Sequence, residues 1–539
     1  MNAADPTVSP GRSVDPVWGT DDGAFRSIAR NVGTRYVAFG VDAMLGLLML
    51  PFNVEHLGKP LYGLWILTAA LTTSFTLLDG GYGGALVRFV ARYRSSRDRT
   101  GLNQILSTLF VIYSVIGLTV VAISLLLVQH VDRIFTIDAG QVPIARQVLL
   151  IISAFVGIRF ACSVFGGVVV GFQQYHRNNI TSIVTSIAVA AVNVAVLKAG
   201  FGLVELVVAA TAVRLVGLLF LRRNAYRAFP GLRIRLTDFS MTRLREVSGF
   251  SVYMLLLDLG YKLNYSSDTL VLAAFLNTSA VALWAPAQRL TELLTRLTNQ
   301  LNEALFPYVV DIDTARRTAR LRETFIQGTR LSFATVLPLA GGVAMMAHPL
   351  VERWIGPSFS ETARILQVLT ALVVLRVGVA TSNTILKGAG EHQRLAAYVG
   401  LTGVANIVLS IALVKPYGLI GVAIGTVVPV TLMALFVNFP RACRRVGVTP
   451  SRALRQAVWP ALWPAFVMVL FLRLARPVGG VSLAAVGVKL MLGALIYEAV
   501  FLGMAIGADE RRWYLRKARE LIPSRFTYPS RARGAATRA

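Results

Sequence analysis

"LLIISAFVGIRFACSVFGGVVVGFQQYHR" (149–177) and "LQVLTALVVLRVGVATSNTILKGAGEHQR" (366–394) run side by side without a gap, at an offset of 217. Leu149 meets Leu366, Ala154 meets Ala371, Arg159 meets Arg376, Gly171 meets Gly388 and Arg177 meets Arg394. Other matches extend the correspondence. Leu64-Trp65 falls on Leu283-Trp284, and Ala85-Leu86 on Ala304-Leu305. Gly33 and Asp42 fall on Gly249 and Asp258, and "KAGFGLV" (198–204) answers "KPYGLI" (415–420). Each match is weak alone, but their order along the chain describes one unit used twice.

The unit is a set of membrane spans. The chain has 539 residues, of which 55% are hydrophobic and only 15% charged. Its mean hydropathy is +0.62. Ordinary soluble domains carry roughly 25% charged residues. Apolar runs of about 18 or more residues, enough to cross a bilayer, recur from end to end. About fourteen spans are expected, in an all-α integral membrane fold. Six fall in each repeat, 31–221 and 246–440, and two more in 441–508. An even number of spans per repeat makes the repeats parallel. Two six-helix lobes then face each other across a central cavity. A basic linker, 222–245, joins the lobes.

Charge sets the orientation. Arginines crowd 88–99, 222–246 and 441–455, and the tail 509–539 is also basic, whereas the alternate loops are nearly balanced. The net charge of +27 therefore reads as retention of basic loops in the cytoplasm rather than as a nucleic-acid surface. Both termini are expected to be cytoplasmic, in the cytoplasmic (inner) membrane. Arg473, Arg476 and Lys489 fall on the outer side and go against the pattern. Residues 1–30 are expected to form a polar cytoplasmic tail, with no signal-peptide core.

Ionisable groups inside apolar spans are costly and usually face a cavity. Arg159 and Arg376 lie mid-span and are repeat partners. They read either as one cationic group per lobe gripping an anion, or as structural partners of an interior acid or carbonyl. In "QRLTELLTRLTNQLNEALFP" (288–307), Arg289, Glu292, Arg296 and Glu303 share a broad helical face. They form either a binding surface or a self-neutralised stripe. Arg35, Arg88, Arg214 and Lys262 complete the candidate cationic set. Asp42 and Asp258 are candidates for a coupling proton or cation. Salt bridges to Arg35 and Lys262 are the plainer alternative.

"LLDGGYGGALVRFVARYRSSR" (77–97) ends the second span with Asp79 followed by Gly80, Gly81, Gly83 and Gly84. The glycines permit a bend or break. This is either a hinge at the cytoplasmic mouth, with Arg88 near entering substrate, or a plain helix end. "GVAIG" (421–425) reads as close helix packing. The five histidines show no metal spacing, Cys162 and Cys443 suggest no disulfide, and no P-loop motif occurs. No cofactor or metal is expected.

"HLGKPLYGLWIL" (56–67), leading into "LLDGGYGGALVRFVARY" (77–93), resembles the N-terminal signature of the polysaccharide flippases. These are the oligosaccharidyl-lipid branch of the multidrug/oligosaccharidyl-lipid/polysaccharide exporter superfamily. "NTILKGAGEHQRLAAYVGLTGVANIVLSIALVKPYGLIGVAIGTVV" (383–428) is similar to that family's C-terminal signature. The resemblance implies a transporter, not an enzyme, that moves undecaprenyl-pyrophosphate-linked sugars between leaflets by alternating access for surface polysaccharide synthesis. It also implies a cationic cavity for the pyrophosphate. Its partners would be the lipid-linked glycan, membrane lipids, and polysaccharide polymerase and export machinery. A drug or metabolite antiporter of the same fold is the alternative. A membrane glycan polymerase or ligase fits less well, since the outer loops are short.

Overall fold

The computed structural model describes residues 24–248, 264, 267–475, 482–507 and 510–512. Asp258, Lys262, Gly249 and Arg476 lie outside these residues, as does most of both expected tails. Among the described residues the chain is helical and has no strand. Within those residues, nine helices are long and apolar enough to cross a membrane, and a bent pair, Thr318–Met345 with Ala347–Trp354, adds a tenth.

Two helices are too long for one crossing. α1, Ala24–Phe75, has 52 residues, about 78 Å if straight against a hydrocarbon core of about 30 Å. It breaks at Gly58, whose φ of 71° lies in the left-handed region that glycine tolerates. The two arms return to the same end of the molecule. Asn31 donates to the Gln173 carbonyl at 2.7 Å, while Arg94, beyond the second arm, reaches the Gly171 carbonyl at 3.5 Å. Helix α1 therefore begins at Ala24, inside the segment expected as a tail.

The chain continues through α2 (Tyr82–Ser95), α3 (Arg99–Gln129), α4 (Val142–Gly171), α5 (Tyr175–Lys198) and α6 (Leu203–Ala228). Within this group α4 packs against α3, α6 and α2, and α1 packs against α5. A second group comprises α7 (Ser267–Phe275), α8 (Thr278–Thr314), α9 (Thr318–Val336), α10 (Ser360–Gly378), α11 (Ala380–Gly388) and α12 (His392–Met433). Here α10 packs against α8, α9 and α12, and α7 against α12. Helix α12 reverses at Gly418, with φ 58°. Its arms meet closely: a Cβ on Gly421 would lie 2.1 Å from the Leu413 carbonyl oxygen, and one on Gly425 would lie 2.3 Å from Ser410 Oγ. The "GVAIG" glycines thus let two antiparallel backbones touch. Helices α13 (Trp459–Leu474) and α14 (Leu483–Val500) pack together, and α13 lies against α9.

The sequence repeat has a backbone counterpart. A Cβ on Gly171 would meet Val90 Cγ1 at 2.4 Å, and one on Gly388 would meet Val309 Cγ1 at 2.7 Å. Two residues further on, Gln173 (φ 58°) and Gly390 (φ 80°) turn the chain the same way. Arg97 (φ 56°) and Arg316 (φ 52°) do so after α2 and α8. Each half thus closes the same turns with the same geometry. One element differs between them. The first half breaks after a short turn, Thr76–Asp79, where Gly80 and Gly81 take φ of 60° and 79°. Asp79 then caps the restart by accepting from Gly83 N at 3.0 Å. The matching stretch of α8 stays helical.

Candidate functional site

The two groups of helices meet along α1 and α8. At the end holding Gly58 the contact is tight. A Cβ on Gly63 would fall 1.7 Å from the Thr278 carbonyl oxygen. Around it, Lys59 donates to Ser358 O, Trp354 Nε1 to Leu47 O at 2.9 Å, and Thr136 N to Ala273 O at 2.9 Å. At the opposite, arginine-rich end the link is an ion cluster, with an exposed Arg92 and a half-buried Arg243 both on Glu246 at 3.0 and 3.1 Å. Tyr82 Oη lies 3.0 Å from Ser248 Oγ beside it.

Between these ends lies a cavity of about 750 Å³, walled by α1, α7, α8, α10 and α12. Three arginines line it, Arg289, Arg296 and Arg376, against the carboxylates of Glu292 and Asp268. The first cation is held across the lobes. Arg289 Nη2 donates to Asp42 Oδ2 at 3.1 Å and to the Asp42 carbonyl at 3.2 Å. Gly46 makes room for it, because a Cβ there would sit 2.5 Å from Nη2. The Arg296 guanidinium forms no hydrogen bond or ion pair among the described residues. Along the inner face of α8 a relay from Trp284 through Gln288 to Glu292 runs instead of the expected arginine–glutamate pairs. Trp284 Nε1 donates to Gln288 Oε1 at 3.1 Å, and Gln288 Nε2 donates to Glu292 at 3.0 Å.

A second cavity of about 500 Å³ opens inside the second group of helices. It shares Asn264, Thr295 and Arg376 with the first, so Arg376 stands at their junction. Beside the first cavity, Asp268 is buried on α7. Thr426 donates to its Oδ2 at 3.0 Å, and Asn406 accepts from Ser410 at 2.9 Å next to it. Asp268 Oδ1 has no hydrogen-bond partner among the described residues. This cluster of oxygens on α7 and α12 was not singled out from the sequence. A single acid among threonine, serine and asparagine is unexceptional in composition, and only the fold shows its complete burial.

The expected cationic set divides. Arg289, Arg296 and Arg376 converge on the first cavity. Arg159 does not line either cavity; it is exposed on α4, where Arg214 of α6 is its electrostatic neighbour. The pairing of Arg159 with Arg376 across one site is therefore not what the structure shows, because the cavities lie toward the second lobe. Arg35 and Arg88 are exposed and lie outside both linings. Asp42 pairs with Arg289, not with Arg35 seven residues away. Among the described residues no group of three or more His, Cys, Asp or Glu is placed to hold a metal.

Two groups of long apolar helices meeting at a charged cavity define an all-α membrane fold. The chain belongs to the family described as "Polysaccharide biosynthesis protein", whose model matches residues 28–313. It is 28% identical over 260 residues to the probable flippase AglR of Haloferax volcanii; the match covers 46% of this chain and 52%, about half, of that protein. It is 22% identical over 412 residues to the uncharacterized membrane protein EpsK of Bacillus subtilis, covering 75% of this chain and 80% of that one. In fold it is similar to the lipid II flippase MurJ in an inward closed conformation. There the TM-score is 0.70 at 16% identity, over 86% of this chain and 98% of that one. It is also similar to an inward-facing multidrug resistance MATE family transporter of the MOP superfamily, with TM-score 0.57 at 18% identity, over 75% of this chain and 98% of that one.

Proposed function

We propose that the protein is a flippase that carries a polyprenyl-pyrophosphate-linked oligosaccharide across the cytoplasmic membrane by alternating access, for surface polysaccharide synthesis. The observation that carries this reading is the interlobe cavity with three arginines, one of them, Arg296, with a guanidinium free of any protein partner among the described residues. Guanidinium groups suit pyrophosphate because each offers a planar fork of donors to two oxygens. A site for organic cations would need net acid, and here Asp268 and Glu292 are matched by Arg296 and Arg376, with Arg289 already paired to Asp42, so no net acid remains. The arginine-rich end is the cytoplasmic side in this reading, which puts both termini inside. Residues 31–221 and 246–440 act as the two rocking lobes, 222–245 as their linker, and 441–508 as an added helix pair. Polymerase and export machinery would receive the carried glycan.

A coupling proton or cation has a better seat at Asp268 than at Asp42. Asp42 is neutralised by Arg289, whereas Asp268 keeps one oxygen without a partner among neutral oxygen donors.

The test is lipid extraction from cells lacking the protein, with and without restored wild type or the Arg296→Ala/Arg376→Ala variant. Lipid-linked oligosaccharide should build up on the cytoplasmic leaflet, and wild type alone should clear it. Arg159→Ala should clear it nearly as well as wild type. Normal surface polysaccharide with no such lipid accumulating would move the antiporter reading into first place.

A further inference from the structure

Resting on that reading, we propose that the second cavity is the subsite for the uncharged sugar rings that follow the pyrophosphate. Its wall differs in kind from that of the first cavity. Apart from Arg376 at the junction, its charged groups are Glu303 and Lys387, which are opposite in sign. The rest of its polarity comes from amides and hydroxyls.

Two of its five asparagines are committed to the fold. Asn302 is bonded to Ser332 and Thr381, and Asn264 donates to Val399 O at 2.8 Å. The other three are not. Asn299 makes no side-chain hydrogen bond among the described residues. Asn383 and Asn438 each hold a buried amide oxygen with no partner. A buried polar atom without a partner costs roughly 1–3 kcal/mol, so native folds keep few of them. An amide offers both donor and acceptor, which matches a hydroxyl that needs both. Phe306 adds an exposed aromatic face to the same wall, the kind of apolar surface that small-ligand sites combine with a few placed polar groups.

The repeat separates this set from what folding requires. At the same offsets the first half has Gly80 for Asn299, Gly166 for Asn383 and Val87 for Phe306. The helices that hold Gly166 and Val87 therefore form without these side chains, while Gly80 stands at the break before α2. Arg376, shared by both cavities, would then stand where phosphate gives way to the first sugar ring.

The experiment uses the full chain in lipid nanodiscs, with Cys162→Ser and Cys443→Ser as background. Single cysteines report each cavity: Thr73→Cys in the first and Asn383→Cys in the second. Two probes are compared, undecaprenyl pyrophosphate alone and the glycan-bearing lipid extracted from cells lacking the protein. Both lipids should slow maleimide modification of T73C, and only the glycan-bearing lipid should slow N383C, by at least fivefold. Equal protection of N383C by the bare lipid overturns the subsite. So does protection of T73C alone by both lipids. If neither lipid protects either cysteine, the pyrophosphate reading fails first and the subsite with it. As a second measure, Asn299→Ala/Asn438→Ala should weaken binding of the glycan-bearing lipid about tenfold and leave binding of the bare lipid unchanged. Equal weakening of both lipids would also overturn the subsite.

Discussion

The Arg289–Asp42 pair is the clearest interlobe contact that depends on a single side chain. Its strength rests on Gly46, against which the guanidinium lies. Gly46→Val should push the guanidinium off Asp42 and weaken the pair. The stability loss should be modest, about 1 kcal/mol or less, because Asp42 is 56% exposed and Arg289 34%. A double-mutant cycle of Gly46→Val with Asp42→Asn, followed by thermal unfolding, should be non-additive, since both changes break one contact. Additive losses would show that the pair is not formed in the membrane. Charges of this sort were legible in the sequence, because an arginine in an apolar run stands out. Their partners were not. Arg159 looked equivalent to Arg376 because the repeat gives each the same place in its lobe. It does not say which lobe encloses the void. The amides of the second cavity and the oxygens around Asp268 were invisible for a different reason: neutral polar residues are common in spans and acquire meaning only from burial and missing partners.

At the level of single elements, the repeat predicted turns better than helix ends. "KPYGLI" (415–420) was matched to "KAGFGLV" (198–204), and Gly418 does reverse α12. The close approach at "GVAIG" also followed from the sequence, because small residues four apart admit a neighbouring backbone. Helix ends were read less well. Helix α6 runs on to Ala228, through residues assigned to the linker, since the basic residues that mark a membrane boundary are also good helix formers. The tight hairpin supports a prediction. Gly425→Val would press branched carbons into the Ser410 backbone, whose nitrogen lies 2.7 Å from the ideal Cβ. The strain should cost roughly 1–3 kcal/mol and should also disturb Thr426 and Asn406 beside Asp268. Thermal stability in detergent should therefore fall for Gly425→Val while Gly487→Val, at a site with open space around it, stays close to wild type.

Across the whole molecule the two ends of the lobe contact are unequal. The Gly58 end is closed by backbone against backbone, at Gly63 and Thr278, with the half-buried Trp354 indole and Thr136 N donating to backbone carbonyls beside it. The arginine-rich end is held by an ion cluster in which Arg92 is 67% exposed, and contacts of that kind contribute about 0–1 kcal/mol each. Opening toward the arginine-rich side should therefore be the easier movement in the empty carrier. A membrane-impermeant maleimide should modify T73C faster from that side than from the other, measured in vesicles of the two orientations. Arg92→Ala should raise the faster rate a fewfold. Faster modification from the Gly58 side would reverse the assignment of the resting state.

The unbroken run of α8 opposite the break at Gly80 and Gly81 has a consequence for how the duplicated halves share their work. A jointed rod bends where a continuous one transmits force, so the first half is suited to be a lever and the second a receptacle. The same position that supplies the joint, Gly80, supplies a wall of the receptacle in the other half, Asn299. On the proposed reading, one repeat position would serve motion in the first half and recognition in the second. On that reading, a chimera built from two first halves would carry two joints and lack the proposed subsite.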